Sequence, residues 1–190
     1  MEGVINLRRV LMVIDMQNDF VAEDGALSFP EARQVIPFIT AKVKEALATE
    51  DEVFFTLDTH TPGDLEFQKF PPHCLAGTPG QELIPELQQI VNDELNTARI
   101  HFVRKNRYSA FHGTELDQLL GLSPGSSIEK VAEVEMVGVC TNICCFFTAE
   151  ELANRDVPVT AYQDGMASFD QAAHQHALEQ MKSVLGVKVI

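Results

Sequence analysis

Val10-Leu11-Met12-Val13-Ile14-Asp15 is the stretch on which the fold turns. Its aliphatic run is too short for a buried helix, has no polar alternation, and stops dead at an aspartate. That is how a strand covered on both faces reads. The same signature recurs at Val53–Leu57, Ile100–Val103, Val131–Val139, Val157–Tyr162 and the terminal Val187–Ile190. Between these runs, Glu31–Thr49, Gln81–Leu95, Thr114–Leu120, Ile143–Asn154 and Asp170–Leu185 are longer and amphipathic, and read as helices. Strands that alternate with helices build βαβ units. The expected architecture is therefore α/β: three layers, with a doubly wound, six-stranded, mainly parallel sheet carrying helices on both faces. One domain spanning residues 1–190 is expected, because a chain of 190 residues can bury roughly 70 % of its unfolded surface around one core.

Composition narrows the partners. Lysine and arginine number 14 and aspartate and glutamate 28, for a formal charge of −14. Such a field repels phosphate backbones and anionic lipid surfaces, so neither nucleic acid nor membrane is expected as a partner. Four cysteines are present, and Cys140, Cys144 and Cys145 crowd together with only Cys74 apart. A disulfide framework spreads its cysteines, so a reducing, cytoplasmic setting fits better. The apolar run after Arg8 and Arg9 ends too soon for an export signal core or a membrane span.

In open α/β sheets ligands bind beyond the carboxyl ends of the strands, which directs attention to the polar residues there. Asp15 closes the first strand, Lys105 follows the third, and Cys144 lies just past the fourth where a helix begins. A helix N-terminus and a nearby ammonium favour thiolate over thiol, and a desolvated carboxylate gains the pKa of a proton shuttle. Each has a plainer reading: a buried thiol as a small hydrophobe, Asp15 as a turn cap, Lys105 as a solvated lysine.

The segment Asp58–Gly80 is polar, contains Pro62, Pro71, Pro72 and Pro79, and is long for a loop in a compact domain. It opens with Asp58-Thr59-His60, whose first and third side chains share one side of an extended backbone, and continues with Glu66 and His73. Two imidazoles with two carboxylates suit a borderline divalent ion, zinc first, with iron or manganese as alternatives. Scattered loop histidines are also commonly just solvated. His101, His112, His174 and His176 have no comparable neighbours in sequence.

Five motifs in order then carry a resemblance. Ile14-Asp15-Met16-Gln17-Asn18-Asp19-Phe20, Asp58-Thr59-His60, Phe70-Pro71-Pro72-His73-Cys74-Leu75-Ala76-Gly77-Thr78, Lys105-Asn106-Arg107-Tyr108-Ser109-Ala110-Phe111 and Gly138-Val139-Cys140-Thr141-Asn142-Ile143-Cys144 together resemble the isochorismatase-like cysteine hydrolases. Within that superfamily the loop motif is similar to that of nicotinamidases. The resemblance implies an Asp15–Lys105–Cys144 catalytic triad and a divalent metal held by Asp58, His60, Glu66 and His73. It also implies an aromatic pocket walled by Phe20, Phe70 and Tyr108, a cis peptide between Val139 and Cys140, and an oxyanion hole formed by the amides of Cys140 and Cys144. The activity it implies is hydrolysis of a small pyridine carboxamide through a thioester, by a self-associating protein. Asn142 departs from the pattern, since many relatives carry aspartate there. Three readings compete. The first is another small amide or carbamoyl substrate on the same cysteine. The second is a metal-hydroxide hydrolase with a structural Cys144, and the third a binding module whose metal staples the loop. Nucleotide chemistry is disfavoured, since no Gly-x-Gly-x-x-Gly or phosphate-loop Gly-Lys-Ser/Thr is present.

Overall fold

The computed structural model describes residues 8–94 and 97–190. Six strands form one sheet in the order β3-β2-β1-β4-β5-β6, and every neighbouring pair is parallel. They are β1 (Arg9–Ile14), β2 (Glu52–Asp58), β3 (Ile100–Lys105), β4 (Glu133–Val139), β5 (Val159–Ala167) and β6 (Lys188–Val189). The helices are α1 (Asn18–Val21), α2 (Pro30–Gln34), α3 (Ile36–Ala48), α4 (Pro85–Asp93), α5 (Leu116–Leu119), α6 (Phe146–Ala153) and α7 (Gln171–Ser183).

Strand alternation sorts the core into two layers. Leu11, Val13, Val53 and Phe55 pack with Ala32, Ile39, Val43 and Leu87 from α2, α3 and α4. Val10, Met12, Ile14 and Phe54 pack on the other face with Leu116, Ala149, Leu152, Leu178 and Met181 from α5, α6 and α7. Full burial of one such side chain contributes roughly 1.5–3 kcal/mol, so the two faces together hold the sheet. Among the described residues no helix is long and apolar enough to cross a membrane.

Several boundaries depart from expectation, each for a local reason. The stretch Glu31–Thr49 is two helices broken at Val35, because Pro37 has no N–H to continue the ladder and instead opens α3. Gln81 ends a 3₁₀ turn at Pro79–Gln81, and α4 starts only at Pro85. Its expected end at Leu95 lies outside the described residues. The helix expected over Thr114–Leu120 shrinks to the single turn of α5. Strand β4 starts at Glu133 rather than Val131, and β6 covers only Lys188–Val189. In contrast, β5 runs past Tyr162 to Ala167 through the exposed Gln163 and Asp164, with a register shift against β4 between Met136 and Gly138. A bulge of this kind hides a strand from a reading based on strict apolar continuity.

The strand order reverses direction between β1 and β4, which leaves a crevice at their carboxyl ends. Gly138 pairs with Ile14 there at φ +126°, and a Cβ on it would come within 2.2 Å of the Ile14 carbonyl oxygen. Only glycine lets the two backbones approach so closely just before Asp15 and Cys140 emerge.

Candidate active site

Asp15 leaves β1 in the left-handed region, at φ 50°, which turns its carboxylate across the strand ends. The Thr56 hydroxyl on β2 donates to Asp15 Oδ1 at 2.6 Å and accepts from the Asp15 amide at 3.0 Å. Lys105, last residue of β3, places Nζ 2.7 Å from Asp15 Oδ2 and 3.6 Å from Cys144 Sγ. Cys144 sits in a π-helical turn, Thr141–Cys145, that follows the cis peptide Val139–Cys140 and runs directly into α6. Three strand ends thus bring carboxylate, ammonium and thiol together, all buried.

Burial and charge act on each member of this trio. Burial pushes the Cys144 thiol well above its ordinary range; Lys105 pulls down, while Asp15 and Asp58 push further up. Complete desolvation thus works against the thiolate that a helix N-terminus favours, and the one ammonium beside the sulfur is already shared with carboxylates. Asp15 is raised by burial, against the opposing pull of Lys105, as a proton acceptor requires. Burial disfavours the Lys105 ammonium, but Asp15 and Asp58 more than offset it and keep the lysine charged.

The second cluster lies on the same strand ends. Asp58, His60, Glu66 and His73 are all buried, and each offers a ligand atom within 4.8 Å of the others. His60 Nε2 stands 3.1 Å from Asp58 Oδ2, and His73 Nε2 stands 3.3 Å from the same oxygen. His73 Nδ1 donates to the Pro71 carbonyl at 2.8 Å, an acceptor only, which turns Nε2 toward Asp58. Asp58 Oδ1 is buried with no hydrogen-bond partner among the described residues. A buried, converging set of two imidazoles and two carboxylates fits a borderline divalent cation. Burial works against the charged form of His60, but Asp58 and Asp64 outweigh it and push its pKa up to about 9.

Register explains a contact the motifs did not reveal. Asp58 is the β2 partner of Lys105 on β3, and the lysine Nζ lies 3.4 Å from Asp58 Oδ1. One ammonium therefore serves both clusters. Gln17, overlooked as a working residue, is buried and clasps the Asp58 backbone: Nε2 donates to its carbonyl at 2.8 Å and Oε1 accepts from its amide at 2.7 Å. Asp19 accepts from the Cys74 amide at 2.6 Å and from Ala26 at 3.2 Å, which ties the His73 loop to the segment bearing Leu27.

Between the two clusters opens a cavity of about 300 Å³. Phe20, Phe70 and Tyr108 line it as expected, together with Leu27, Ile143 and Phe169, which sequence reasoning missed. Phe169, two residues beyond β5, lines the cavity although 57 % of it is exposed. Tyr108 is braced by stacking on Phe147 and by Lys69. At the departure noted in the motif, Asn142 Oδ1 accepts from Ser168 at 2.6 Å, a hydrogen bond that joins the Thr141–Cys145 turn to the end of β5. His174, one of the histidines without a sequence partner, bonds Thr141 Oγ1 at 2.8 Å and anchors the same turn to α7. His101 pairs instead with Glu52, far from the cavity.

The isochorismatase domain family matches residues 9–190. The crystal structure of nicotinamidase PncA from Bacillus subtilis superposes with a TM-score of 0.88 at 33 % identity, covering 96 % of this chain and 99 % of that one. Pyrazinamidase/nicotinamidase from Streptococcus mutans UA159 does so with a TM-score of 0.88 at 35 % identity over the same shares. Pyrazinamidase of Pyrococcus horikoshii in complex with zinc gives 0.82 at 27 % identity, over 96 % and 98 % of the two chains. With its fold, motif order and near-complete alignment in agreement, this chain belongs to the isochorismatase family.

Proposed function

We propose that the protein is a metal-containing cysteine amidohydrolase that converts nicotinamide to nicotinate and ammonia through a thioester on Cys144. The observation that carries this reading is the juxtaposition of Asp15, Lys105 and Cys144 with the Asp58–His60–Glu66–His73 cluster across one apolar cavity. The likeness to proteins named nicotinamidase and pyrazinamidase supports the substrate, and the zinc-bound relative supports zinc as the ion.

A flat, neutral pyridine carboxamide enters between Phe20, Phe70 and Tyr108, which exclude water and hold the ring by its faces. Asp58, His60, Glu66 and His73 would hold a divalent ion, which would supply a Lewis acid beside the cavity to orient the substrate. Asp15 takes the Cys144 proton as sulfur bonds to the carbonyl carbon. The amides of Cys140 and Cys144 stabilise the oxyanion, a type of donor worth about 3–4 kcal/mol each. Asp15 then protonates the departing nitrogen, the C–N bond breaks, and ammonia leaves a thioester behind. Water attacks this carbonyl as Asp15 accepts its proton; the C–S bond breaks and the proton returns to sulfur. Lys105 balances the negative charge that alternates between Asp15 and sulfur, which offsets the cost of forming thiolate in a buried site.

The same reading takes residues 1–190 as one domain, places the enzyme in the cytoplasm, where four free buried cysteines stay reduced, and gives it a role in pyridine nucleotide salvage and a self-associating state. The test is ammonia release from nicotinamide by the purified protein, with and without a chelator. Release by the native protein, its loss on chelation, and its absence in Cys144→Ala are expected. Undiminished turnover by Cys144→Ala would remove the thioester, and no release by zinc-loaded native protein would remove the substrate.

A further inference from the structure

The two imidazoles of the cluster are anchored by different chemistry. His73 Nδ1 donates to a neutral carbonyl, that of Pro71. His60 Nδ1 faces a carboxylate instead, Asp64 Oδ2 at 3.1 Å, while its Nε2 points to Asp58. The Asp64 side chain is almost wholly buried, and it collects an unusual number of donors. Its Oδ1 accepts from the Glu66 amide at 3.0 Å, which starts the 3₁₀ turn that carries Glu66. Arg107 Nη1 reaches Oδ1 at 3.2 Å, and Asn106 Nδ2 reaches Oδ2 at 3.4 Å. Both follow Lys105 directly in the chain.

We propose that Asp64 is a positioning residue for the metal centre. It fixes the proton of His60 on Nδ1 so that Nε2 presents its lone pair, and it sets the backbone that carries Glu66. This rests on the metal-binding reading above. An imidazole that donates to a carboxylate is a stronger ligand than one that donates to a neutral carbonyl, and its ring orientation and tautomer are locked. Asp64 can do this because it is an acceptor only; no rotation offers His60 a donor. An asparagine in its place has one acceptor oxygen for donors arriving on both sides, so serving His60 turns its amide N–H groups toward Arg107 and the Glu66 amide. Arg107 and Asn106 complete the arrangement by neutralising the buried carboxylate from the end of β3. Asp64 thereby links the Lys105 strand to the ligand loop.

The test uses the full chain stripped of metal, titrated with zinc against a chromophoric chelator, and with cobalt for its visible spectrum. Asp64→Asn is expected to weaken zinc binding about 10–100-fold and to alter the cobalt d–d bands. Equal zinc affinity and an identical cobalt spectrum in Asp64→Asn would overturn the proposal while leaving the metal site intact. Native protein that takes up neither ion would overturn the metal reading itself, and this inference with it. Should Asp64→Asn fail to fold, nitrogen-15 NMR of the zinc-loaded native protein decides: a proton on His60 Nδ1 with metal-shifted Nε2 is expected, and the reverse assignment overturns the proposal.

Discussion

The Asp15 carboxylate is held by a single hydroxyl on one side and a single ammonium on the other, so its proton affinity is set by few contacts. The Thr56 hydrogen bond acts to lower its pKa against burial. Thr56→Val keeps the shape and removes the hydroxyl, so Asp15 should rise further, and the acid limb of kcat/KM should move to higher pH. The same change strands the buried Asp15 amide, a cost of about 1–3 kcal/mol that urea unfolding would register. An acid limb that stays in place would mean that Asp15 is not the group titrating. Lys105→Met removes the counter-charge of Asp15 and Asp58 together. It should destabilise the protein by about 3–5 kcal/mol, the usual penalty of leaving a buried charge unpaired, and turnover should be lost with it.

Strand ends carry the site, so strand packing controls it. At Gly138, β4 lies against β1 with no room for a methyl group and with a positive φ. Gly138→Ala should cost about 1–3 kcal/mol for the backbone conformation alone, before the steric contact is counted. It should also spread Asp15 from Cys140, so turnover should fall more steeply than denaturant stability does; native turnover in this variant would show that the two strands separate freely. A different device ties the far ends of β2 and β3. Glu52 accepts from Arg8 at 3.0 Å and pairs with His101 at 2.7 Å. Partial burial works against its charge, but His101 and Arg8 outweigh it and hold its pKa at about 2, below the unfolded 4.5. A depressed carboxylate stabilises the fold above its unfolded pKa and loses that contribution as pH falls through the folded one. Glu52→Gln should therefore flatten the decline in thermal midpoint between pH 4.5 and pH 2.

For the molecule as a whole, a charge of −14 means self-repulsion in the compact state. Screening it should raise the thermal midpoint as sodium chloride goes from about 10 to 150 mM, where the Debye length shortens from about 30 to 8 Å. A midpoint that falls instead would show surface ion pairs to be worth more than the net repulsion. The same acidity bears on the cavity, whose lining among the described residues contains Asp58 and Glu66 and no lysine or arginine. A neutral amide suits such a pocket better than an anionic one does.

The sequence by itself determined the layer architecture, because apolar runs and amphipathic stretches obey the two backbone periodicities whatever their neighbours. It also marked Asp15, Lys105, Cys144, Asp58, His60, Glu66 and His73, since each follows a strand or falls in one conspicuous loop. Where β5 bulges through Gln163 and Asp164, and where Pro37 divides a helix, local pattern yielded to pairing and to a missing N–H. Only tertiary structure decided that Lys105 is shared between two clusters, that Gln17 clasps Asp58, Asp19 the Cys74 amide and Asp64 the His60 ring, and that Leu27 and Phe169 line the cavity. Those facts depend on strand order and register, which bring residues distant in sequence within a few ångströms. The upward push on the Cys144 thiol belongs with them, for it comes from burial and from charges that other strands bring beside it.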